Sequence, residues 1–359
     1  MSFPVIEEKN NLFFIDCHLK FGAKVENFNS KYTKNNSIPL LVDFIKLDPT
    51  SQWDITGTSS NMKKSLFILS ALVLVAFCSC NKYAGDPVSK DFSIEGSYTK
   101  LDVDDAFNVT VSDEVNLITI TAGENVMPNV VVEIVDNTLK IHLKPFTSNY
   151  GSDMKAVVPY NANLTNVNLS GACEFHSEYG LEGENVEVEL SGASDFYCDI
   201  FADEVEVHLS GASNFHGNIE ADEAKVNLSG SSDFVGDLIA NKIEAELSGS
   251  SNIKGNVSAT DLDLDMTGAS DATLEGRVAT LKIDLSGASN IIRRVVGNQY
   301  ALSCDRCEGL MSGSSDAYIH CDGIIKVDLS GASDLHFTGA AFTGDSTVSG
   351  GSNIIHDVL

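Results

Sequence analysis

Apolar and polar residues alternate along most of the chain, as in Val186-Glu187-Val188-Glu189-Leu190. A period of two is the pattern of a strand buried on one face. The alternation returns as Val205-Val207-Leu209, Ala224-Val226-Leu228, Ile243-Ala245-Leu247 and Leu262-Leu264-Met266, each followed at once by Ser-Gly or Thr-Gly. The shared signature is [Leu/Met/Val]-[Ser/Thr]-Gly-x-x-[Asp/Asn/Glu]-apolar. Its glycines are Gly171, Gly192, Gly211, Gly230, Gly249, Gly268, Gly287, Gly313, Gly331 and Gly350, with successive gaps of 21, 19, 19, 19, 19, 19, 26, 18 and 19 residues.

Each position has a physical reason. The apolar residues before the glycine face inward and the intervening Glu, Asp, Lys, Asn or His face out. Glycine admits positive φ at a turn, and the Ser and Asp/Asn side chains can hydrogen-bond nearby backbone. The next apolar residue, such as Phe196 or Ile253, re-enters the core. Nineteen residues are too few for a helical crossover plus strands. They suit one coil of an all-β, parallel β-solenoid, with coils about 4.8 Å apart. Like positions then form columns. A column of bare Asp would repel itself, and the chain alternates instead: Asp195, Asn214, Asp233, Asn252, Asp271, Asn290. This favours one repeat per coil, although two repeats per coil would give the same alternation.

Residues 92–160 also read as short strands, for example Val109-Thr110-Val111 and Leu139-Lys140-Ile141-His142-Leu143, without the Ser-Gly signature. They are expected to form the irregular N-terminal part and cap of a β-helix domain over 92–359, with the Ser-Gly repeats over 161–359. Residues 80–91 read as a tether.

Charge adds a restriction. From Cys80 onward there are 15 Lys+Arg against 44 Asp+Glu. Such a surface repels nucleic acid and anionic headgroups, so no nucleic-acid partner is expected.

The address label is internal. Met62-Lys63-Lys64 precedes an apolar run, Leu66 to Phe77, and then Cys78-Ser79-Cys80-Asn81. A basic start, a short apolar stretch and small residues make a secretory signal. The run is shorter than the roughly 20 residues that span a bilayer. Cleavage before Cys80 would leave its thiol to carry lipid, and Ser79 before the cut favours Cys80 over Cys78. Residues 62–79 are therefore expected to be a lipoprotein signal peptide, and 1–61 an over-extended leader ahead of a true start at Met62. Asn81 in place of Asp points to the outer membrane, with the leaflet open.

A lipoprotein signal, strands such as Phe107-Asn108-Val109-Thr110-Val111, and serial Leu-Ser-Gly-Ala-Ser-Asp-Phe units together resemble the head GIN domain family of auto-transporter adhesins, Bacteroidota lipoproteins, over roughly residues 92–359. The resemblance implies a right-handed β-helix akin to pectin-lyase folds but without their catalytic residues, and an adhesive role. It supports fold more than function.

Candidate chemistry is sparse. A glycan hydrolase needs paired carboxylates on one face, but the carboxylates here follow the repeat. No catalytic residue and no cofactor are expected. Neither is a metal: the turns lack the calcium-binding nonapeptide, and His176, His208, His216, His320 and His336 show no ligand spacing. Cys198 and Cys321 sit at inward positions and read as core. Cys304-Asp305-Arg306-Cys307 has metal or redox spacing, but a single CxxC is a weak zinc signal. A disulfide, with Cys321 as one option, and plain thiols both stay open. The interval of 26 residues before Gly313 is the most individual feature. It holds Arg293, Arg294 and Tyr300, a candidate binding loop, since insertions in solenoids become loops on one face.

The leading expectation is an envelope-anchored lipoprotein presenting a non-catalytic β-helix for adhesion or for glycan or protein binding. The rivals are a periplasmic structural or signalling lipoprotein and a polysaccharide-active enzyme. The expected partners are the membrane, through lipid on Cys80, a glycan or protein ligand, and a second copy of the chain at an open solenoid end.

Overall fold

The structure, a computed structural model, describes residues 84–359. The expected leader and signal peptide, and Cys80, lie outside the described residues. Among those described, no helix is long and apolar enough to cross a membrane.

The chain is a parallel β-solenoid with one repeat per coil. Ile200–Leu209 pairs in parallel with Ile219–Leu228, which pairs with Leu238–Leu247, each register advancing by one repeat. A typical coil runs through the Ser210–Ser213 turn, a short strand Asn214–His216, a corner at Gly217-Asn218, and the long strand Ile219–Leu228. The long strand bends at Asp222, which the ladder skips between Ala221↔Ala240 and Glu223↔Lys242. Each coil therefore has three straight runs and three corners.

The columns account for the sequence pattern. Inward residues are almost wholly buried, and Phe175, Phe196, Phe215 and Phe234 stack at 5.1, 5.0 and 4.8 Å between ring centroids. Stacked aromatic pairs contribute about 0.5–1.5 kcal/mol beyond the area they bury. On the outside, Asn214 donates to Asp195 at 2.6 Å, Asn252 to Asp233 at 2.7 Å and Asn353 to Asp334 at 2.8 Å. The amide neutralises a site that would otherwise be a second charge and donates a hydrogen bond to the first. All ten signature glycines have φ between 75° and 87°.

The second x of the signature proves structural. Ser194, Ser213, Ser232, Ser251, Ser270, Ser289, Ser315 and Ser333 are fully buried. The hydroxyl of Ser213 donates to the Ser210 carbonyl at 2.9 Å, and Ser194, Ser232 and Ser251 repeat the bond. This closes the turn and satisfies a hydroxyl that has no water. Cys173 takes this place in the first repeat, its thiol donating to the Ser170 carbonyl at 3.1 Å.

Residues 92–160 belong to the same solenoid but do not stack in chain order. Lys100–Val103 lies between Thr138–Leu143 and Asn166–Leu169, all parallel. Phe107–Ser112 lies between Met154–Pro159 and Glu174–His176. The run that comes later in sequence is thus outermost. Antiparallel strands close this end: Ile118–Gly123 pairs with Met154–Pro159 and with Pro87–Phe92, and Val130–Val135 forms a hairpin with Thr138–Leu143. Residues 87–91, expected in a tether, are strand. Their side chains are exposed, so no alternation marks them; backbone pairing to Ile118–Gly123 holds them.

Candidate functional site

The inserted interval forms a small hairpin, Val295–Val296 with Gln299–Tyr300. Arg293 and Arg294 are exposed, and the Arg294 guanidinium pairs with Glu275. Tyr300 turns inward and is 1% exposed, so it is not a surface contact residue. Its hydroxyl donates to Asp357, which also lies 2.9 Å from His336 Nδ1, and its backbone N–H donates to Thr338 Oγ1 at 3.2 Å. Burial and the Asp357 charge push the Tyr300 pKa up to about 12. Burial works against the Asp357 carboxylate, but Tyr300, His336 and Arg293 together hold it below its ordinary value. The insertion is a clasp that fastens the C-terminal segment to the side of the last coils. The sequence marked it as an outward loop because the inward turn of Tyr300 depends on Asp357, 57 residues away.

The cysteines among the described residues are buried free thiols: Cys173, Cys198, Cys304, Cys307 and Cys321. Cys304 and Cys321 are register partners on adjacent coils. The Cys321 thiol is raised well above its ordinary value, first by its hydrogen bond with Cys304 and then by burial. Burial pushes Cys198 up to about 11. Cys304 and Cys307 are both wholly inside, so their spacing belongs to the core.

The outer surface near the N-terminal end holds a groove of about 850 Å³ lined by Asp113, His176, Glu178, Tyr179, Tyr197 and Phe201 among others. Phe201 is 42% exposed and lies over Gly180, where a Cβ would come within 2.8 Å of its ring. Tyr179 packs on Tyr160 at 4.7 Å between centroids. A hydrogen bond with Asp113 raises the Tyr179 pKa. His176, Tyr197 and His216 stack at 4.3 and 4.8 Å, so these rings cover one another's faces, and Phe201 adds a partly exposed ring beside them. Aromatic surface beside carboxylate acceptors suits a ligand with apolar faces and many hydroxyl donors. Sequence reading passed over this groove because its residues come from separate turns and from the cap.

A second constellation escaped the sequence reading. Glu187, Glu206 and His208 each place one donor atom within 4.8 Å of the others. The histidines had been set aside for lack of local ligand spacing. The usable signal is the repeat: Glu187 and Glu206 are register partners on adjacent coils, and His208 follows Glu206 by two residues on the same face.

Residues 97–254 and 234–341 match the family described as "Putative auto-transporter adhesin, head GIN domain". The chain belongs to that family. It is a family of adhesins by description, not of enzymes. Among solved structures, the chain is similar to one described as a putative adhesin from Parabacteroides distasonis ATCC 8503, with 18% identity over 76% of this chain and 98% of that one and a TM-score of 0.42. A second, described as a putative lipid binding protein from the same organism, has 16% identity over 76% and 97%, with a TM-score of 0.39. A third, a putative adhesin from Parabacteroides merdae ATCC 43184, has 17% identity over 76% and 97%, with a TM-score of 0.34. Among curated proteins none matches.

Proposed function

We propose that this chain is a lipid-anchored protein of the outer membrane that presents a rigid, non-catalytic β-solenoid to bind glycans at the cell surface. The observation that carries the reading is the groove beside Tyr179 and Phe201. It combines a partly exposed aromatic ring with carboxylate acceptors on a scaffold fixed by continuous parallel ladders. Family membership supports adhesion, and the sequence around Cys80 supports the anchor. Lipid chains contribute about 0.8 kcal/mol per buried CH₂, so two or more hold a protein on a bilayer without a span. The solenoid supplies stiffness: each coil is hydrogen-bonded to both neighbours, so a ligand meets a preorganised surface.

The test is protease treatment of intact cells, with labelled palmitate to follow the anchor. The expected result is digestion of the solenoid from outside and loss of label in Cys80→Ala. Protection on intact cells with digestion after lysis would overturn the surface reading.

A further inference from the structure

Two carboxylates and an imidazole converge on the outer face of the second and third Ser-Gly coils. Glu187 and Glu206 stand one above the other, and both are partly buried. Asn166 Nδ2 donates to Glu187 Oε2 at 2.5 Å, Lys225 Nζ lies 3.4 Å from Glu206 Oε1, and His208 Nε2 lies 3.0 Å from the same oxygen. A second observation comes from the far side of the ring. Asn227 Nδ2 sits 3.1 Å from His208 Nδ1, and Asn227 Oδ1 is buried with no partner. Among the described residues it is the one buried side-chain polar atom so left.

Amide oxygen and nitrogen exchange places without moving the side chain. With the amide of Asn227 turned over, Oδ1 accepts from His208 Nδ1–H. The next residue of the column is Glu246. The oxygen that was buried without a partner then has a donor. The tautomer then places the free lone pair of Nε2 against Glu206 Oε1. An acceptor facing an acceptor is repulsive, and a cation between the two relieves it. A proton serves one such pair; Glu187 brings a second carboxylate to the same point, and a divalent ion neutralises both. A histidine whose other nitrogen donates to a carbonyl oxygen is the usual arrangement of a metal-bound imidazole. One nitrogen and two carboxylates suit zinc with a water in the fourth place, whereas calcium takes six to eight oxygens.

We infer that Glu187, Glu206 and His208 bind a single zinc-type divalent ion, with Asn227 as the positioning residue behind the imidazole. The ion would displace Lys225 from Glu206 and bridge two adjacent coils. This goes beyond the proposed function and depends on neither the anchor nor the groove.

The experiment is calorimetric titration of the purified chain with zinc chloride in 150 mM sodium chloride, repeated with calcium chloride. One zinc per chain is expected, bound at least 100-fold more tightly than calcium. Glu206→Gln and His208→Ala should each weaken it more than tenfold. Asn227→Ala, which touches no metal, should weaken it roughly tenfold, and Asp284→Asn, two coils beyond Glu246, should leave it unchanged. All these side chains face outward, so far-UV circular dichroism checks that the fold survives. Cobalt absorption of the unaltered chain reads tetrahedral coordination without any variant. No binding, or binding of several ions that ignores the variants and treats zinc and calcium alike, would overturn the inference and leave diffuse counter-ions.

Discussion

The glycine column offers the sharpest test of how the solenoid is held. At Gly230 a Cβ would lie 2.4 Å from the carbonyl oxygen of Gly211, and φ is +80°. That oxygen accepts a hydrogen bond from Ser231 N at 2.8 Å. Opening the contact to the 3.0 Å floor of real Cβ contacts needs a shift of about 0.6 Å, which takes the hydrogen bond out of its good range. A left-handed backbone costs an L-residue about 1–2 kcal/mol, and a lost backbone bond about 0.5–1.5 kcal/mol. Gly230→Ala should therefore destabilise by about 1.5–3.5 kcal/mol, lowering Tm by roughly 3–14 °C. Two controls separate the causes. Gly297→Ala, with φ +66° and open space around it, carries the backbone cost alone. Gly236→Ala has no positive φ but would place Cβ 1.7 Å from the Gly217 oxygen, and so carries the contact cost. The assay is equilibrium urea unfolding of the four proteins. If Gly230→Ala and Gly236→Ala cost no more than Gly297→Ala, coil-to-coil contact is not what fixes glycine in the column.

Other outcomes follow from the same structure. Asn214→Asp would place four consecutive carboxylates at positions 174, 195, 214 and 233; it should destabilise by about 1 kcal/mol, with the loss shrinking in high salt and at low pH, read by thermal melts. Partial desolvation and then the charges of Asp284, Glu246 and Asp263 raise the Asp265 pKa, so its charge opposes folding above that pKa. Asp265→Asn should stabilise by a few tenths of a kcal/mol at pH 7, and the gain should vanish near pH 3, where the carboxyl is protonated in both states. The Asp357 pKa is lowered, so its contribution is present above the unfolded value and lost as pH falls through the folded one. Asp357→Asn should cost about 1–2 kcal/mol at neutral pH and speed amide exchange in residues 293–300, an effect absent in acid. Phe201→Ala should abolish glycan-array binding while leaving stability within about 1 kcal/mol of the parent, because its ring lies on the outer face and is only partly covered; retained binding would remove the groove from the proposed function.

The solenoid was legible because its determinants are local and repeated. The period-two apolar runs, the Ser-Gly turns and the constant interval each bear on one coil, and stacking copies them. The cap was less legible. Lys100–Val103 and Phe107–Ser112 insert between a later run and the first Ser-Gly coil, and no local pattern encodes that order. The buried serine two residues after each glycine was present in nearly every copy, yet its role needed the turn geometry. Its hydroxyl is inside because the preceding Ser carbonyl is there to accept it.

The sites follow the same division. Regular columns are already accounted for by turn closure, charge alternation and packing, so their residues say little about ligands. What remains are places where the column rule fails. At Tyr300 the period lengthens and an aromatic turns inward to meet Asp357. At Phe201 a large ring occupies an outward position over Gly180, where later coils have Glu220 and Ile239. At Glu187 and Glu206 two acids stack, as they do at Glu204/Glu223 and Asp265/Asp284, but here His208 stands beside them with its ring nitrogen among the carboxylates. A sequence of this kind is therefore best read in columns of nineteen. Where a column carries like charges or an exposed ring that the neighbouring coils do not explain, the cost to folding is real, and a ligand that relieves it has a binding energy already provided by the fold.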